Sequence, residues 1–230
     1  MNRPHWHLSL ASRADAAAVA ALRIEAYRAA REFRWRDEAR LHWGPVDDDS
    51  CVLALRDTDS RLASSVRLTV LSDAAAAERM IEHSLAGLEL APPVLVLSRS
   101  ASHPQLRRQG GSGLLRQTYL AAFVDAPPGS VVTQVYDGAP RLAGMLAEGF
   151  ELHRPRASWD SEAEATSPPL IARLRRERFA AAAAVATAAQ AHRLADAAID
   201  REAIADGLRR AIARAQARAA GPAGAWPAEH

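Results

Sequence analysis

The chain has 230 residues, of which 49% are hydrophobic and 24% are charged, and this is the composition of a globular protein large enough to bury a full core. Its formal net charge of +2 argues against a dedicated nucleic-acid-binding protein. No stretch approaches the ~20 apolar residues of a membrane span, and the first residues lack the apolar core of a signal peptide. We therefore expect a cytoplasmic protein with neither a nucleic-acid nor a membrane partner.

Two features of the composition restrict the chemistry. All 29 basic residues are arginines, which excludes a lysine nucleophile or a lysine Schiff base. The single cysteine, Cys51, excludes an intrachain disulfide and a multi-cysteine metal site, and we predict no metal. Cys51 opens an apolar run, which favours a small buried residue over a nucleophile.

The chain begins with alternating strand and helix patterns. His5–Leu10 alternates and predicts a strand. Ser12 and Asp15 form a capping-box pattern ahead of a helix that runs to about residue 33. The mixed aromatic and charged segment Trp35–Trp43 predicts a second, short helix.

A hairpin and an inserted helix follow. Cys51–Arg56 and Leu62–Leu71 are predicted strands joined by a polar turn. Ser72 is a candidate cap for a helix over 73–86, after which two prolines impose an extended approach to a strand starting at Val94.

The second half of the domain again alternates helix and strand. A glycine-dense turn leads into a helix over 112–125. Val131–Tyr136 predicts a strand, Pro140 opens a helix running to about 148, and Phe150–Arg154 begins a further strand. We assign residues 1–157 to one α/β domain with a mixed central sheet flanked by helices.

The composition changes after this domain. Residues 158–169 are rich in Ser, Glu and Pro and predict a linker, and residues 221–230 predict a disordered tail. Residues 170–220 are dominated by alanine and arginine and predict a helical extension. A continuous helix of about 50 residues would be about 75 Å long, so we expect it to fold back or to pair with a second copy. Its apolar stripe (Ile204, Leu208 and Ile212) makes a homodimer, or cover for the acceptor side of the domain, the expected arrangement.

The turn at Arg107–Gly113 is the most informative motif. Glycines let a backbone approach a ligand closely, and the N-terminus of the following helix carries about half a positive charge. A strand, a glycine turn with two arginines and a helix together predict a phosphate site. The alternative is an ordinary strand-to-helix connection.

Three familiar phosphate or nucleophile motifs do not fit this turn. A P-loop needs a lysine, which the chain lacks. A dinucleotide fingerprint starting at Gly111 needs a glycine where Arg116 stands. A nucleophile elbow needs a glycine two places after Ser112, where Leu114 stands.

The turn resembles the pyrophosphate loop of the GNAT superfamily of N-acetyltransferases. That pattern, Arg/Gln-x-x-Gly-x-Gly/Ala, places Arg107 first and Gly110 fourth, although Ser112 stands where Gly or Ala is usual. The approach through Arg99–Leu106 and the later Ala147–Phe150 segment, which ends in Gly-Phe, are similar to the same family.

This resemblance implies a donor site for acetyl-CoA or another acyl-CoA. Two parallel strands, Val94–Ser102 and Val131–Tyr136, would splay apart around the pantetheine arm. The residues implied to bind the donor are Ser100, Ala101, Ser102, Arg107, Arg108, Gln109, Gly110, Gly111, Ser112 and Gly113. The implied reaction is direct attack of a small-molecule amine on the thioester.

Both common catalytic positions of the family differ here. Met145 stands where many relatives have a tyrosine acid, and Ser98 stands where many have a glutamate base. Tyr136 is then the candidate acid, and the candidate bases are Glu82, His83 and His103; a water chain is the alternative to a single base.

A second resemblance implies a different substrate. Leu97-Ser98-Arg99, which follows an inserted helix, is similar to the corresponding strand of acyl-homoserine lactone and N-acyl amino acid synthases. It implies a longer acyl chain and a donor that is either acyl-CoA or an acyl carrier protein. A third hypothesis, motivated by Met145 and Ser98, is a non-catalytic binding or assembly module.

Overall fold

The computed structural model describes residues 6–31, 33–35, 37–107, 109–158, 163–165 and 167–220. The strands are β1 Trp6–Leu10, β2 Phe33–Trp35, β3 Cys51–Arg56, β4 Leu62–Leu71, β5 Val94–Ser102, β6 Ser130–Tyr136, β7 Glu151–His153, β8 Ala163–Ala165, β9 Pro169–Arg175 and β10 Ala197–Ile199. The α-helices are α1 Ala16–Arg28, α2 Pro45–Asp48, α3 Ala74–Ile81, α4 Gly111–Ala122, α5 Leu142–Ala147, α6 Phe179–Leu194 and α7 Arg201–Ala220.

Eight strands form one mixed sheet in the order β10-β1-β3-β4-β5-β6-β9-β7. The β5–β6 and β1–β10 pairs are parallel and the other neighbours are antiparallel. β2 and β8 form a separate antiparallel pair. The predicted mixed sheet flanked by helices is confirmed.

Helices cover both faces of the sheet because side chains on each strand alternate between them. α4, α6 and α7 pack on what we call the α4 face, where Leu53, Leu95 and Val131 point into the largest apolar cluster. α1 and α3 pack on the opposite α1 face, which carries two smaller apolar clusters.

Most of the predicted elements up to residue 157 are present. β3 and β4 have the predicted bounds, and the Ser12–Asp15 capping box opens a 3-10 turn that runs into α1. The side chain of Asp73, not Ser72, caps α3 by accepting from the Ala76 N–H at 2.8 Å.

The predicted short helix over Trp35–Trp43 is confirmed in part, as a 3-10 helix at Glu38–Leu41. Its predicted first residue, Trp35, belongs instead to β2, where Phe33–Trp35 pairs with Ala163–Ala165. Aromatic residues favour strands when a partner strand is available, and here that partner comes from 130 residues away in sequence.

The predicted helix over 170–220 is wrong at its start, and the predicted linker over 158–169 contains strand β8. Pro169–Arg175 is β9, which lies between β6 and β7 in the central sheet. Its side chains alternate, with Leu170, Ala172 and Leu174 in the large core cluster, which suits a strand rather than a helix. The alanine-rich composition hid this alternation.

After β9 the segment is helical as predicted, in α6 and α7, except for the unpredicted strand β10 between them, which pairs with β1 and marks where the chain folds back. Ile204 and Leu208 are fully buried against this chain's own sheet. The stripe therefore packs within this chain, on the α4 face. The predicted homodimer was motivated by a stripe in need of a partner, and that motivation no longer applies. The predicted tail at 221–230 lies outside the described residues.

Among the residues that the structure describes, no helix combines the length and the apolar character that a membrane span requires.

Candidate active site

β5 and β6 diverge near the middle of the sheet. They pair in parallel only from Val94–Leu97 to Ser130–Thr133, and the Thr133 hydroxyl donates to the Leu97 carbonyl oxygen at 2.8 Å at the end of this ladder. Beyond that point β5 pairs with β4 and β6 pairs with β9. A gap therefore opens between the two central strands.

A β-bulge in β5 accounts for the divergence. Ser65 faces Ala101 across β4 and β5, whereas Arg67 faces Ser98, so two residues of β5 oppose one of β4. One of the two, Arg99, has a φ of 51°, in the left-handed region. A bulge bends and twists its strand, which turns the end of β5 away from β6.

The glycine turn has the geometry of an anion site. Gly110 has a φ of 87° and immediately precedes α4, a conformation that glycine adopts without strain. No side chain caps α4, so the N–H groups of Gly111, Ser112 and Gly113 lie in its uncapped first turn. These N–H groups and the helix dipole favour a bound phosphate.

Of the two arginines that the sequence predicts in the donor-binding loop, the structure describes one. The guanidinium of Arg107 donates to the carbonyl oxygens of Ala26 and Ala29, at 2.7 and 2.9 Å, and so ties the loop to the end of α1. Its side chain is thus part of the scaffold, while its backbone stays in the loop. Arg108 lies outside the described residues.

The C-terminal helix α6 supplies a second tie that the sequence did not reveal. Arg193 donates from Nε to the Gln109 carbonyl oxygen at 2.8 Å. A Cβ on Gly110 would lie 2.2 Å from the Arg193 guanidinium, and a Cβ on Gly113 would lie 2.6 Å from the Gln190 side chain. The two glycines therefore make room for α6 over the loop.

A small cavity lies in the gap on the α4 face. Its lining runs from the start of α4 to α5, and its members are Val66, Leu97, Ser100, Ser112, Leu115, Arg116, Tyr119, Thr133, Arg141 and Met145. Ser100 and Ser112 are the predicted donor-binding residues among them. Tyr119 and Arg141 were not predicted, since nothing in the local sequence distinguishes a helix tyrosine that packs from one that reaches a cavity.

Arg141 lies at the point where the gap connects the two faces. It donates to the Gln134 carbonyl oxygen at 2.6 Å, on the part of β6 that β5 has left. Burial lowers the pKa of Arg141, and the groups that influence it electrostatically include Tyr119 on the α4 face and Tyr27 and Tyr136 on the other side.

Two of the predicted catalytic residues, Tyr136 and His83, lie together on the α1 face. The Tyr136 hydroxyl accepts from the Gln134 side chain at 2.9 Å, and burial raises the pKa of Tyr136 to about 12. His83 is 2% exposed, with Nδ1 2.8 Å from the Ser158 hydroxyl. Burial lowers the pKa of His83, and the Gln134 side chain partly opposes this.

The other two candidate bases are engaged elsewhere. Glu82 forms an ion pair with Arg40 at 3.2 Å. His103 lies 3.3 Å from Glu25, and its Nδ1 accepts from the Gln105 N–H. None of the four predicted catalytic residues lines the cavity in the gap.

A buried polar cluster adjoins the bulge on the α1 face. Arg23 and Asp47 form an ion pair whose side chains are 0% and 2% exposed, and Arg67 lies 3.9 Å from the same carboxylate. Burial opposes ionisation of Asp47, but the hydrogen bonds and charge of Arg23, with the charge of Arg67, lower its pKa overall. Arg67 also donates to Ser98 at 3.0 Å.

Sequence reasoning missed this cluster, although a signal was present. Arg23 lies among the buried apolar residues of α1, and Arg67 lies in β4, whose residues are all buried. A charged residue in such a pattern is seldom buried without a partner. Cys51 is buried as predicted, and burial raises the pKa of its thiol to about 11.

No protein-family model matches the chain, and no curated protein is significantly similar to it in sequence. Solved structures do resemble it. A CoA-dependent acyl-homoserine lactone synthase, BjaI, described with SAM and isopentyl-CoA, aligns with a TM-score of 0.53 at 14% identity, covering 90% of this chain and 100% of that one.

Two further structures give similar values. FeeM, an N-acyl amino acid synthase from uncultured soil microbes, has a TM-score of 0.50 at 12% identity, over 77% of this chain and 94% of that one. A ribosomal-protein-S5-alanine acetyltransferase from Vibrio fischeri has a TM-score of 0.53 at 8% identity, over 78% and 97%. These likenesses confirm that the chain has the GNAT fold.

Proposed function

We propose that the chain is an acyltransferase that moves an acetyl or longer acyl group from acyl-CoA to a small-molecule amine. The observation that carries this proposal is the gap between β5 and β6, which opens beside the uncapped start of α4. Acyl-CoA is anionic at its diphosphate end and carries amides along its pantetheine arm, so it fits such a groove.

The donor side supports the proposal in two ways. The N–H groups at Gly111–Gly113 suit the diphosphate of CoA. Beyond Leu97, β5 has no partner strand on its β6 side among the described residues, so the backbone of Ser100–Ser102 can pair with the pantetheine amides as a further strand would.

The proposed reaction is direct transfer. The amine nitrogen forms the new C–N bond, the C–S bond breaks, and the electron pair passes to sulfur. The amine must lose a proton, and His83 is suited to accept it because burial keeps the imidazole neutral. The acceptor would enter from the α1 face, where His83 and Tyr136 lie.

The experiment is calorimetric titration with CoA, acetyl-CoA and a long-chain acyl-CoA, followed by thioester turnover with a panel of amines. Ser112→Glu places a carboxylate where the phosphate would bind, and we expect it to abolish donor binding while the protein stays folded, since a helix N-terminus tolerates an acid. Ser112→Ala is the matched control and should bind, because the backbone N–H groups remain. Donor affinity that is absent from the unmodified chain, or unchanged by Ser112→Glu, would contradict the proposal.

A second candidate is a synthase of N-acyl amino acids or acyl-homoserine lactones. The observation that favours it is the BjaI likeness, which covers 90% of this chain, whereas FeeM at 77% covers no more than the ribosomal-protein acetyltransferase at 78%. The Leu97-Ser98-Arg99 segment moreover leads into the bulge at Arg99 and Ser100, and Ser98 accepts a hydrogen bond from the buried Arg67.

Donor and acceptor preference separate the two candidates. Faster turnover with a long-chain acyl-CoA or an acyl carrier protein, and with amino acids or S-adenosylmethionine as acceptors, would favour the synthase. Binding of all three CoA ligands with little preference would favour a short-chain acyltransferase. Donor binding without turnover over the whole panel would favour the non-catalytic module.

A further inference from the structure

The Tyr119 hydroxyl is an unpartnered polar group inside the gap. Tyr119 is 2% exposed, and its oxygen is buried without a hydrogen-bond partner. Within the described part of the chain, it is the one such buried oxygen or nitrogen that lines the cavity. An unsatisfied buried hydroxyl costs about 1–3 kcal/mol, which asks for an explanation.

Three other polar side chains that line the cavity make contacts within the protein. Thr133 donates to the Leu97 carbonyl oxygen, Arg116 pairs with Glu148, and Arg141 donates to the Gln134 carbonyl oxygen. Ser100 and Ser112 also line the cavity but are only half-buried, and the two arginines keep further N–H groups, so Tyr119 is the fully buried lining hydroxyl that has no partner.

The position of Tyr119 identifies the part of the ligand it would meet. It lies seven residues after Ser112 on α4, about 10 Å along the helix from the end where the phosphates would bind. It lines the same cavity as Arg141, whose guanidinium donates to the Gln134 carbonyl oxygen on the part of β6 that β5 has left. An acceptor arriving from the α1 face would meet the thioester in this part of the gap.

We infer that the Tyr119 hydroxyl donates a hydrogen bond to the thioester sulfur of the donor and to the thiolate that leaves. This inference rests on the proposed function and adds a catalytic residue to it. As the amine attacks, the C–S electron pair moves to sulfur, where the hydroxyl stabilises the developing charge. Burial raises the pKa of Tyr119, so the hydroxyl keeps its own proton and the thiolate is protonated afterwards by solvent.

The test does not require the acceptor to be known. CoA and desulfo-CoA are titrated into the unmodified chain, into Tyr119→Phe and into the control Thr118→Val, which removes a neighbouring buried hydroxyl that donates to the Leu114 carbonyl oxygen. We expect the unmodified chain and Thr118→Val to bind CoA roughly fivefold more tightly than desulfo-CoA, as one neutral hydrogen bond implies. Tyr119→Phe should bind the two equally.

The melting temperature separates this role from a structural one. Tyr119→Phe removes an unsatisfied hydroxyl, so the variant should melt at the same or a higher temperature while kcat for any accepted amine falls about tenfold. Equal binding of CoA and desulfo-CoA by the unmodified chain, or a preference that survives in Tyr119→Phe, overturns the inference. Failure of the unmodified chain to bind either ligand overturns the proposed function instead.

Discussion

His83 is a buried imidazole beside the end of β6, and its Nε2 has no partner at hydrogen-bond geometry although the Gln134 side chain lies near enough to influence its pKa. Burial lowers the pKa of His83, so the ring is neutral at neutral pH and can accept a proton. We expect kcat to fall as the pH drops through this lowered pKa, below the ordinary value of about 6.5. His83→Gln should remove this acid limb and reduce kcat about 100-fold, as pH–rate profiles would show.

The exposed His192→Gln is the control for this measurement and should keep the acid limb. An acid limb that persists in His83→Gln would assign the base elsewhere. The same pKa shift makes the stability of the fold depend on pH, and stability falls with falling pH, as kcat does. The unfolded chain protonates His83 more readily, so the folded state loses stability as the pH falls through the ordinary histidine pKa.

The buried Arg23–Asp47 pair predicts a strongly asymmetric effect of mutation. Asp47→Ala leaves the guanidinium of Arg23 buried without its carboxylate, which should cost about 3–5 kcal/mol in the free energy of unfolding measured with denaturant. Asp206→Asn removes an acid from an exposed ion pair on α7 and should change stability little. Equal losses in the two variants would show that burial of the pair is not what matters.

At the scale of elements, α7 belongs to the layer of helices that covers the α4 face of the sheet. Leu208 is 1% exposed within the main core cluster, and Leu208→Ala should cost about 2–5 kcal/mol in thermal or denaturant unfolding. Val185→Ala on α6 is the matched control, because its side chain is 41% exposed and should lose much less. A small loss at Leu208 would mean that α7 is docked only loosely.

The elements also show how far the sequence could be interpreted. The apolar runs of β3 and β4 gave their bounds correctly because local alternation and a polar turn define a hairpin. β9 was mistaken for helix because alanine and arginine suggested helix propensity, whereas its register is set by seven residue pairs with β6. Such long-range pairing leaves only a weak mark on composition.

In the candidate site, too, features set by local sequence were predictable and features set by long-range packing were not. The turn at Gly110 and the start of α4 were predictable, because a positive φ next to a helix requires glycine. Tyr119, Arg141 and Arg193 were not, since each reaches the gap or the loop from a helix or helix start whose placement only the tertiary fold determines.

At the scale of the whole molecule, the strand order makes the C-terminal segment indispensable. β9 lies between β6 and β7, so truncation after Ser167 removes an interior strand together with α6 and α7. We expect the truncated chain to lose its cooperative thermal transition, whereas Leu208→Ala keeps one. A truncated chain that still melts cooperatively would show that residues 1–167 fold independently.

The turn before α4 is anchored from both directions of the chain, by Arg107 to the end of α1 and by Arg193 to α6. Arg107 and Gln109 are thereby held in place before any ligand arrives. A flexible turn would lose conformational entropy when a ligand binds, and that loss would be subtracted from the affinity. Preorganisation by two arginines far apart in sequence therefore lets more of the interaction energy appear as binding.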